Sequence, residues 1–241
     1  MLTTNEQELV KNISLLYKRS LQVLNDFEGP SIYFHVQAIQ EQKRAFLSFR
    51  HIEMIYATLA SWGLHRMGDP RQTKTKMVKF EIFKKSLLAH QKLLTSLREA
   101  TMTSTSEPEY QQILEELSPV YDSLMVSLSS STLVANSKVL AHVLPDLIPP
   151  IDRQYTVRFF TQEPYQFFNK KGKFTNINLP AGKQEQFLLF KEYCVRIKRM
   201  VDRCDHQQFK LDPESFNTSY PKIMDNIIMA FIKEAPKGNR L

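Results

Sequence analysis

The apolar residues of this chain recur at helical spacing along almost its whole length. In residues 6–24 they fall at Leu9, Ile13, Leu16, Leu21 and Leu24, roughly the intervals of one face of an α-helix. The same pattern predicts helices over residues 31–50, 51–64, 77–99, 109–128, 132–144, 152–160, 184–203 and 219–233. Segment 51–64 is apolar on all sides, which favours a position at the centre of a helical bundle.

Proline and glycine residues separate the predicted helices. Gly29 and Pro30 end the first one, and Pro119 is expected to kink residues 109–128 or to begin a new helix there. Residues 164–182 form an irregular loop rich in basic and aromatic residues, with a candidate hairpin over 168–177. No other stretch alternates convincingly between apolar and polar residues, so the sequence predicts an all-α fold in one helical domain, residues 1–241.

Composition narrows the class of protein. Hydrophobic residues make up 42% of the chain and include 16 Phe, as expected for a globular protein. No apolar run approaches the ~20 residues that a membrane span needs. The first residues lack the cationic flank and the apolar block of a signal peptide. We therefore expect a cytoplasmic protein without a membrane partner.

The two cysteines, Cys194 and Cys204, are expected to be reduced thiols. Ten residues apart on one predicted helix, they would be separated by about 15 Å, which is too far for a disulfide. Neither belongs to a CxxC or Cys/His cluster, and no nucleotide-binding or metalloprotease motif occurs. The sequence therefore predicts neither a metal nor a cofactor.

The positive charge of the chain is unevenly distributed. The net charge is +7 and the pI is near 9.3, values that suit a polyanionic partner. Seven cationic residues fall close together: Arg66, Arg71, Lys74, Lys76, Lys79, Lys84 and Lys85. Lys170 and Lys171 stand among phenylalanines, a mixture found on strand-binding surfaces and also in solvated loops.

Two charged residues occupy unusual positions in segment 131–160. Lys138 lies inside an otherwise apolar helix, and Asp152 directly follows a Pro-Pro-Ile sequence at the start of the next predicted helix. Each has an ordinary structural explanation. An aspartate at a helix start caps free N–H groups, and a lysine can extend its apolar stem along the core to reach solvent.

Taken together, these residues resemble the helix-hairpin-helix DNA glycosylase superfamily. In that family a lysine at the hairpin attacks the sugar, and an aspartate follows in a Pro-Val-Asp context. The matching residues here are Lys138 and Asp152, the latter within Pro150-Ile151-Asp152. Arg158 lies next to the place where the family often has a basic residue. The hairpin, glycine-rich in the family, reads Leu-Val-Ala-Asn-Ser over 133–137 and contains no glycine.

An upstream match extends the resemblance to residues 45–160. The segment 51–68 is similar to the family's buried helix, which ends in a turn facing the DNA. This match implies that Ser61 and Trp62 lie near a flipped base or the gap that it leaves. His65 and Arg66 come next, where they would meet phosphate or complement the helix dipole.

The resemblance implies a two-lobed helical bundle with the active-site cleft between its lobes, acting as a monomer on double-stranded DNA. Asp152 would stabilise the positive charge that develops on the sugar during base excision. Lys138, with its pKa lowered by an apolar pocket, would attack the anomeric carbon and form a Schiff base, which adds lyase activity. Family members serve in base repair, and some act in phage defence.

Four further residues are candidates for the base pocket or for DNA binding: Asn136, His142, Arg153 and Arg158. Asn136 would donate to a flipped base or cap its helix. His142 follows Lys138 by one helical turn and so shares its face, although a lone histidine there is commonly a core residue.

Two other functions fit the same sequence. In the first, the chain is a non-catalytic helical protein that binds DNA or RNA, and Lys138 and Asp152 are structural. In the second, it is a protein-interaction module whose positive charge is incidental.

Overall fold

The computed structural model describes residues 2–24, 29–66, 76–129 and 131–235, and within them the chain is helical without any β-strand. The predicted all-α class is confirmed. The α-helices of this part are α1 (Thr4–Lys11), α2 (Ile13–Leu24), α3 (Pro30–Arg44), α4 (Phe49–Ser61), α5 (Phe80–Leu88), α6 (Gln91–Ser96), α7 (Glu107–Glu116), α8 (Ser118–Ser123), α9 (Thr132–Val143), α10 (Arg158–Thr161), α11 (Lys183–Val201) and α12 (Tyr220–Glu234). One π-helical turn, Arg153–Val157, precedes α10.

Local chemistry explains where several helices begin and end. The hydroxyl of Ser48 accepts a hydrogen bond from an N–H in the first turn of α4, and the hydroxyl of Ser219 does the same for α12. Pro119 lies in the first turn of α8, which confirms the break predicted at this proline. Gly29 before α3 and Gly63 after α4 have φ values of 79° and 82°, which favour glycine.

Other helix breaks carry no proline or glycine, and the predicted helices missed them. Segment 6–24 is two helices, α1 and α2, which are separated at Asn12. Segment 77–99 likewise contains α5 and α6, separated at Ala89 and His90. Helix α3 ends at Arg44, short of the predicted residue 50.

At two places short extended segments pair with each other where a helix or an irregular loop was predicted. Residues 124–129 leave the helical path, and the Val78 N–H donates to the Val126 carbonyl at 3.1 Å. In the loop 164–182, Phe168 and Phe174 form an antiparallel bridge, and their rings stack with centroids 5.0 Å apart. The candidate hairpin over 168–177 is thus present as a single bridge.

Helices α9 and α12 form the centre of the molecule. All residues of α9 from Leu133 to Val143 are buried, and so are those of α12 from Pro221 to Ile232. Helix α9 packs against α3, α4 and α11, while α12 packs against α2 and α11. Segment 51–64 was expected at the centre of the bundle, but one side of α4 is partly exposed, at Tyr56, Ala57 and Ala60.

The two thiols are free, as expected. Cys194 is buried in α11, and Cys204 is half-buried three residues beyond the end of that helix, so the two do not share one helix as predicted. Among the helices of the described residues, none has the combination of length and apolar character needed to span a bilayer.

Candidate active site

Lys138 and Asp152 open into one cleft of about 410 Å³. The cleft is built from the ends and faces of several helices that the sequence places far apart. Its lining residues are Leu24, Ser31, Ser61, Trp62, Gly63, Lys138, Pro150, Asp152, Tyr155, Phe216, Lys222, Asp225 and Met229. A cleft of this size and mixed lining is typical of small-molecule sites.

The two predicted charged groups meet in an ion pair. The Nζ of Lys138 lies 3.1 Å from Oδ2 of Asp152, with side chains only 11% and 29% exposed. The other carboxylate oxygen of Asp152 accepts a hydrogen bond from the Gln154 N–H at 2.7 Å, so the residue also caps the π-helical turn. Asp152 therefore caps a helix and forms an ion pair at the same time, so the structural explanation of this residue does not exclude the functional one.

A serine fixes the register of the two segments that carry the pair. The Ser137 hydroxyl accepts a hydrogen bond from the Ile151 N–H at 3.1 Å and donates to the Val134 carbonyl of its own helix at 3.2 Å. Because Pro149 and Pro150 hold the connection extended, this contact places residue 152 beside residue 138. The Lys138–Asp152 pair is thus a consequence of its immediate neighbours in sequence.

Asp152 is held in its charged form. Burial by itself would raise the pKa of the carboxyl group. The Lys138 ammonium and the hydrogen bonds from Lys138, Gln154 and Tyr155 outweigh burial, so the pKa of Asp152 lies below its ordinary value. The cleft therefore presents a carboxylate anion beside an ammonium ion.

Trp62 lines the cleft beside the ion pair. Its ring lies beside Lys138, with Nζ 5.2 Å from the ring centroid, and its Nε1–H donates to the Ser31 carbonyl at 3.3 Å. Ser61 lines the cleft as well, while its hydroxyl donates to the Thr58 carbonyl. The aromatic surface and the ion pair are thus adjacent.

Behind Trp62 lies a chain of buried histidines. Burial lowers the pKa of His142 to about 4 and holds that of His35 well below its ordinary value. A carbonyl can only accept, so His142 donates from Nδ1 to the Lys138 carbonyl (2.6 Å), and its Nε2 accepts from Nδ1 of His35 (3.0 Å). His142 therefore supports the cleft from within the core and does not line it.

A second ion pair in the cleft was missed by the sequence analysis. The Nζ of Lys222 lies 2.7 Å from Oδ2 of Asp225 and 2.6 Å from Oδ1 of Asn226, all on α12. Thr156 links the two pairs, since it accepts from the Asp152 N–H and donates to Asp225 at 3.4 Å. The available signal was three polar residues at i, i+3 and i+4 in an otherwise apolar helix.

Several predicted residues lie elsewhere. Asn136 is buried in α9 and donates to the Tyr121 carbonyl at 2.9 Å, so it neither caps the helix nor reaches the cleft. Nδ1 of His65 lies 2.7 Å from the Ala60 carbonyl. The side chains of Arg66, Arg71 and Lys74 fall outside the described residues. Arg153, Lys170 and Lys171 are exposed and do not line the cleft.

Arg158 is an interior residue that organises a loop. It is fully buried, and its guanidinium donates to the carbonyls of Gln154, Phe167 and Thr175 at 3.0, 3.0 and 2.7 Å. The guanidinium also lies over the ring of Phe174 at 4.7 Å. Its place in the structure corrects the expectation that it belongs to the base pocket or contacts DNA, because it holds the loop 164–182 against the π-helical turn.

Arg158→Ala is therefore expected to lower the free energy of unfolding by about 3–5 kcal/mol, because it leaves several buried carbonyls without donors. Urea unfolding monitored by circular dichroism measures this change. The neighbouring exposed Arg153 provides a matched control, and Arg153→Ala should stay within about 0.5 kcal/mol of the unsubstituted protein. Equal effects of the two substitutions would show that the interior network of Arg158 contributes little.

No protein family model matches the chain, and no curated protein or solved structure is significantly similar to it. Among the described residues, no group of three or more His, Cys, Asp or Glu side chains is arranged to hold a metal ion. A functional assignment therefore depends on the chemistry of the cleft.

Proposed function

We propose that this protein is a DNA glycosylase with lyase activity, which takes a flipped nucleotide into the cleft lined by Lys138 and Asp152. One observation supports this proposal above the others. The amine and the acid that the resemblance selects, fourteen positions apart in sequence, converge at 3.1 Å in a cleft that also contains Trp62. A solely structural pair would not need to open into a cavity large enough for a base.

The charges of the pair suit departure of the base before nucleophilic attack. As the N-glycosidic bond breaks, its electrons leave with the base and positive charge develops on the sugar, where the Asp152 carboxylate stabilises it. The Lys138 ammonium donates a proton to the departing base, which leaves neutral, and the resulting amine adds to the anomeric carbon. Loss of a proton from that nitrogen and opening of the sugar ring then give a Schiff base.

The remaining parts of the proposal concern the partner and the context. The enzyme acts as a monomer on double-stranded DNA in the cytoplasm, and the net charge of +7 favours binding to phosphates. Residues 45–160 form the glycosylase-like core, and the cleft separates two lobes. The excised base is a damaged or modified one, removed in base repair or in phage defence.

Borohydride trapping on a duplex that carries a natural abasic site tests the proposal without knowledge of the base. The expected result is a covalent protein–DNA adduct that peptide mapping places on Lys138. Salt-dependent binding without an adduct or base release would favour the non-catalytic nucleic-acid-binding alternative. Absence of binding even at low salt would favour a protein-interaction module.

A further inference from the structure

A second charged group of the cleft is the Lys222–Asp225 pair. Its side chains are 10% and 13% exposed, close to the 11% of Lys138 and well below the 29% of Asp152. Phe216 and Met229 beside it are also buried, while Ser61, Trp62 and Tyr155 are partly exposed at the mouth of the cleft. A nucleotide whose sugar lies at Lys138 and Asp152 would therefore direct its base towards Lys222 and Asp225.

The hydrogen bonds of the Lys222 ammonium lie within one helix. Both hydrogen-bond acceptors of Lys222, Asp225 and Asn226, belong to its own helix, so its ammonium does not tie α12 to a neighbouring segment. Lys198 shows what a structural lysine does in this protein, because it reaches the Met102 carbonyl in a different segment at 2.8 Å. Its two acceptors do contact other segments, Asp225 through the Thr156 hydroxyl at 3.4 Å and Asn226 through the Phe216 carbonyl at 3.2 Å. Since burial of an ion pair is costly, the ammonium that Lys222 adds to this cluster at the wall of the cleft invites a functional explanation.

We propose that Lys222 and Asp225 bind the hydrogen-bonding edge of the flipped base. This inference rests on the proposed base excision and deepens it by assigning the residues that select the base. Lys222 donates to an oxygen or nitrogen acceptor of the base, and Asp225 accepts from a neighbouring N–H. Phe216, with the Lys222 Nζ 5.5 Å from its ring centroid, provides an aromatic surface beside that edge.

The chemistry of the pair defines a class of base. The base must present an N–H donor next to an acceptor, and the edge that carries them must be free of substituents. A methyl group on a ring nitrogen of that edge would remove one hydrogen bond and would leave Lys222 or Asp225 without its partner. The cleft is therefore expected to reject bases methylated at the pairing edge.

Binding measurements on matched duplexes test this inference. The duplexes differ at one unpaired position, which carries uracil, hypoxanthine, 8-oxoguanine, 5-methylcytosine, the edge-methylated 3-methylcytosine, or a tetrahydrofuran abasic analogue. The unsubstituted protein should bind at least one duplex with a free base edge more tightly than the analogue, and should gain nothing from 3-methylcytosine. The gain from a base is the ratio of the affinity for its duplex to the affinity for the abasic analogue. Asp225→Asn should reduce this ratio by about 10- to 100-fold, while leaving affinity for the analogue unchanged.

A matched control is available on α11. Lys198 and Asp202 form a similar intrahelical pair away from the cleft, so Asp202→Asn should leave the gain from the base unchanged. Retained affinity of Asp225→Asn for the abasic analogue also reports a folded protein. The inference is overturned if no base edge adds affinity, or if Asp225→Asn keeps the full gain or loses affinity for the analogue equally. Failure of borohydride trapping would instead refute the proposed lyase chemistry.

Discussion

The Lys138→Ala protein is expected to form no borohydride-stable adduct with an abasic duplex and to release base about 10²- to 10⁴-fold more slowly. Both losses have the same cause, because in the proposed reaction one ammonium group supplies the proton for the departing base and then the amine for the sugar. Gel analysis of trapped complexes and chromatography of the released base measure the two quantities separately. A loss of similar size from Lys138→Arg would show that the amine itself is needed, since arginine retains the charge.

The matched control is Lys191→Ala on α11, which removes a paired lysine outside the cleft and should leave both measurements unchanged. Asp152→Asn provides a different signature. Because it removes the carboxylate that stabilises the sugar cation in the proposed reaction, base release should fall by about 10²- to 10³-fold. The adduct on an abasic duplex should still form, since the base has already left. Full activity of Lys138→Ala would refute the assignment of this residue.

Periodicity and chain breakers predicted the helical class and most helix positions. Breaks at prolines, such as the one that Pro119 makes before α8, can be read from sequence because proline lacks the N–H that a helix needs. The break at Asn12 carries no such residue and could not be read from the sequence. The extended residues 124–129 depend on pairing with 76–78, a segment that no local pattern connects to them.

The candidate site likewise contains residues that could be predicted from the sequence and residues that could not. Lys138 and Asp152 could be found because each is anomalous in its own segment and because Ser137 and two prolines bring the segments together locally. Lys222 and Asp225 approach the same cleft through the packing of α12, which sequence reasoning did not supply. Arg158 illustrates the reverse error, since a basic residue in the expected place proved to be buried among carbonyl groups.

The buried histidines connect the stability of the core to the shape of the cleft. His35 stacks between neighbours that line the cleft, with ring centroids 5.7 Å from Trp62 and 5.3 Å from Phe216. His142 contacts both Trp62 and the carbonyl of Lys138. His51 extends the chain, because its Nε2 lies 3.3 Å from the His142 carbonyl. Because the three rings are buried, their surroundings favour neutral imidazole and disfavour imidazolium.

Stability is therefore expected to fall as the pH drops from 7 to 4.5. Burial lowers the pKa of both His142 and His51 from 6.5 to about 4. Below pH 6.5 these two histidines are therefore protonated in the unfolded chain, whereas in the folded protein they stay neutral down to about pH 4. The stabilisation is complete above pH 6.5 and is lost progressively towards pH 4. Each of these two histidines contributes about 2 kcal/mol to the loss between pH 7 and 4.5.

Urea unfolding at the two pH values measures this loss, and two substitutions on α9 isolate its cause. His142→Gln removes one titrating group, so the difference between pH 7 and pH 4.5 should shrink by about 2 kcal/mol. Val139→Ala, at a fully buried position on the same helix, should lower stability by a similar amount at both pH values. An unfolding free energy that stays constant from pH 7 to pH 4.5 would contradict the neutral histidine chain.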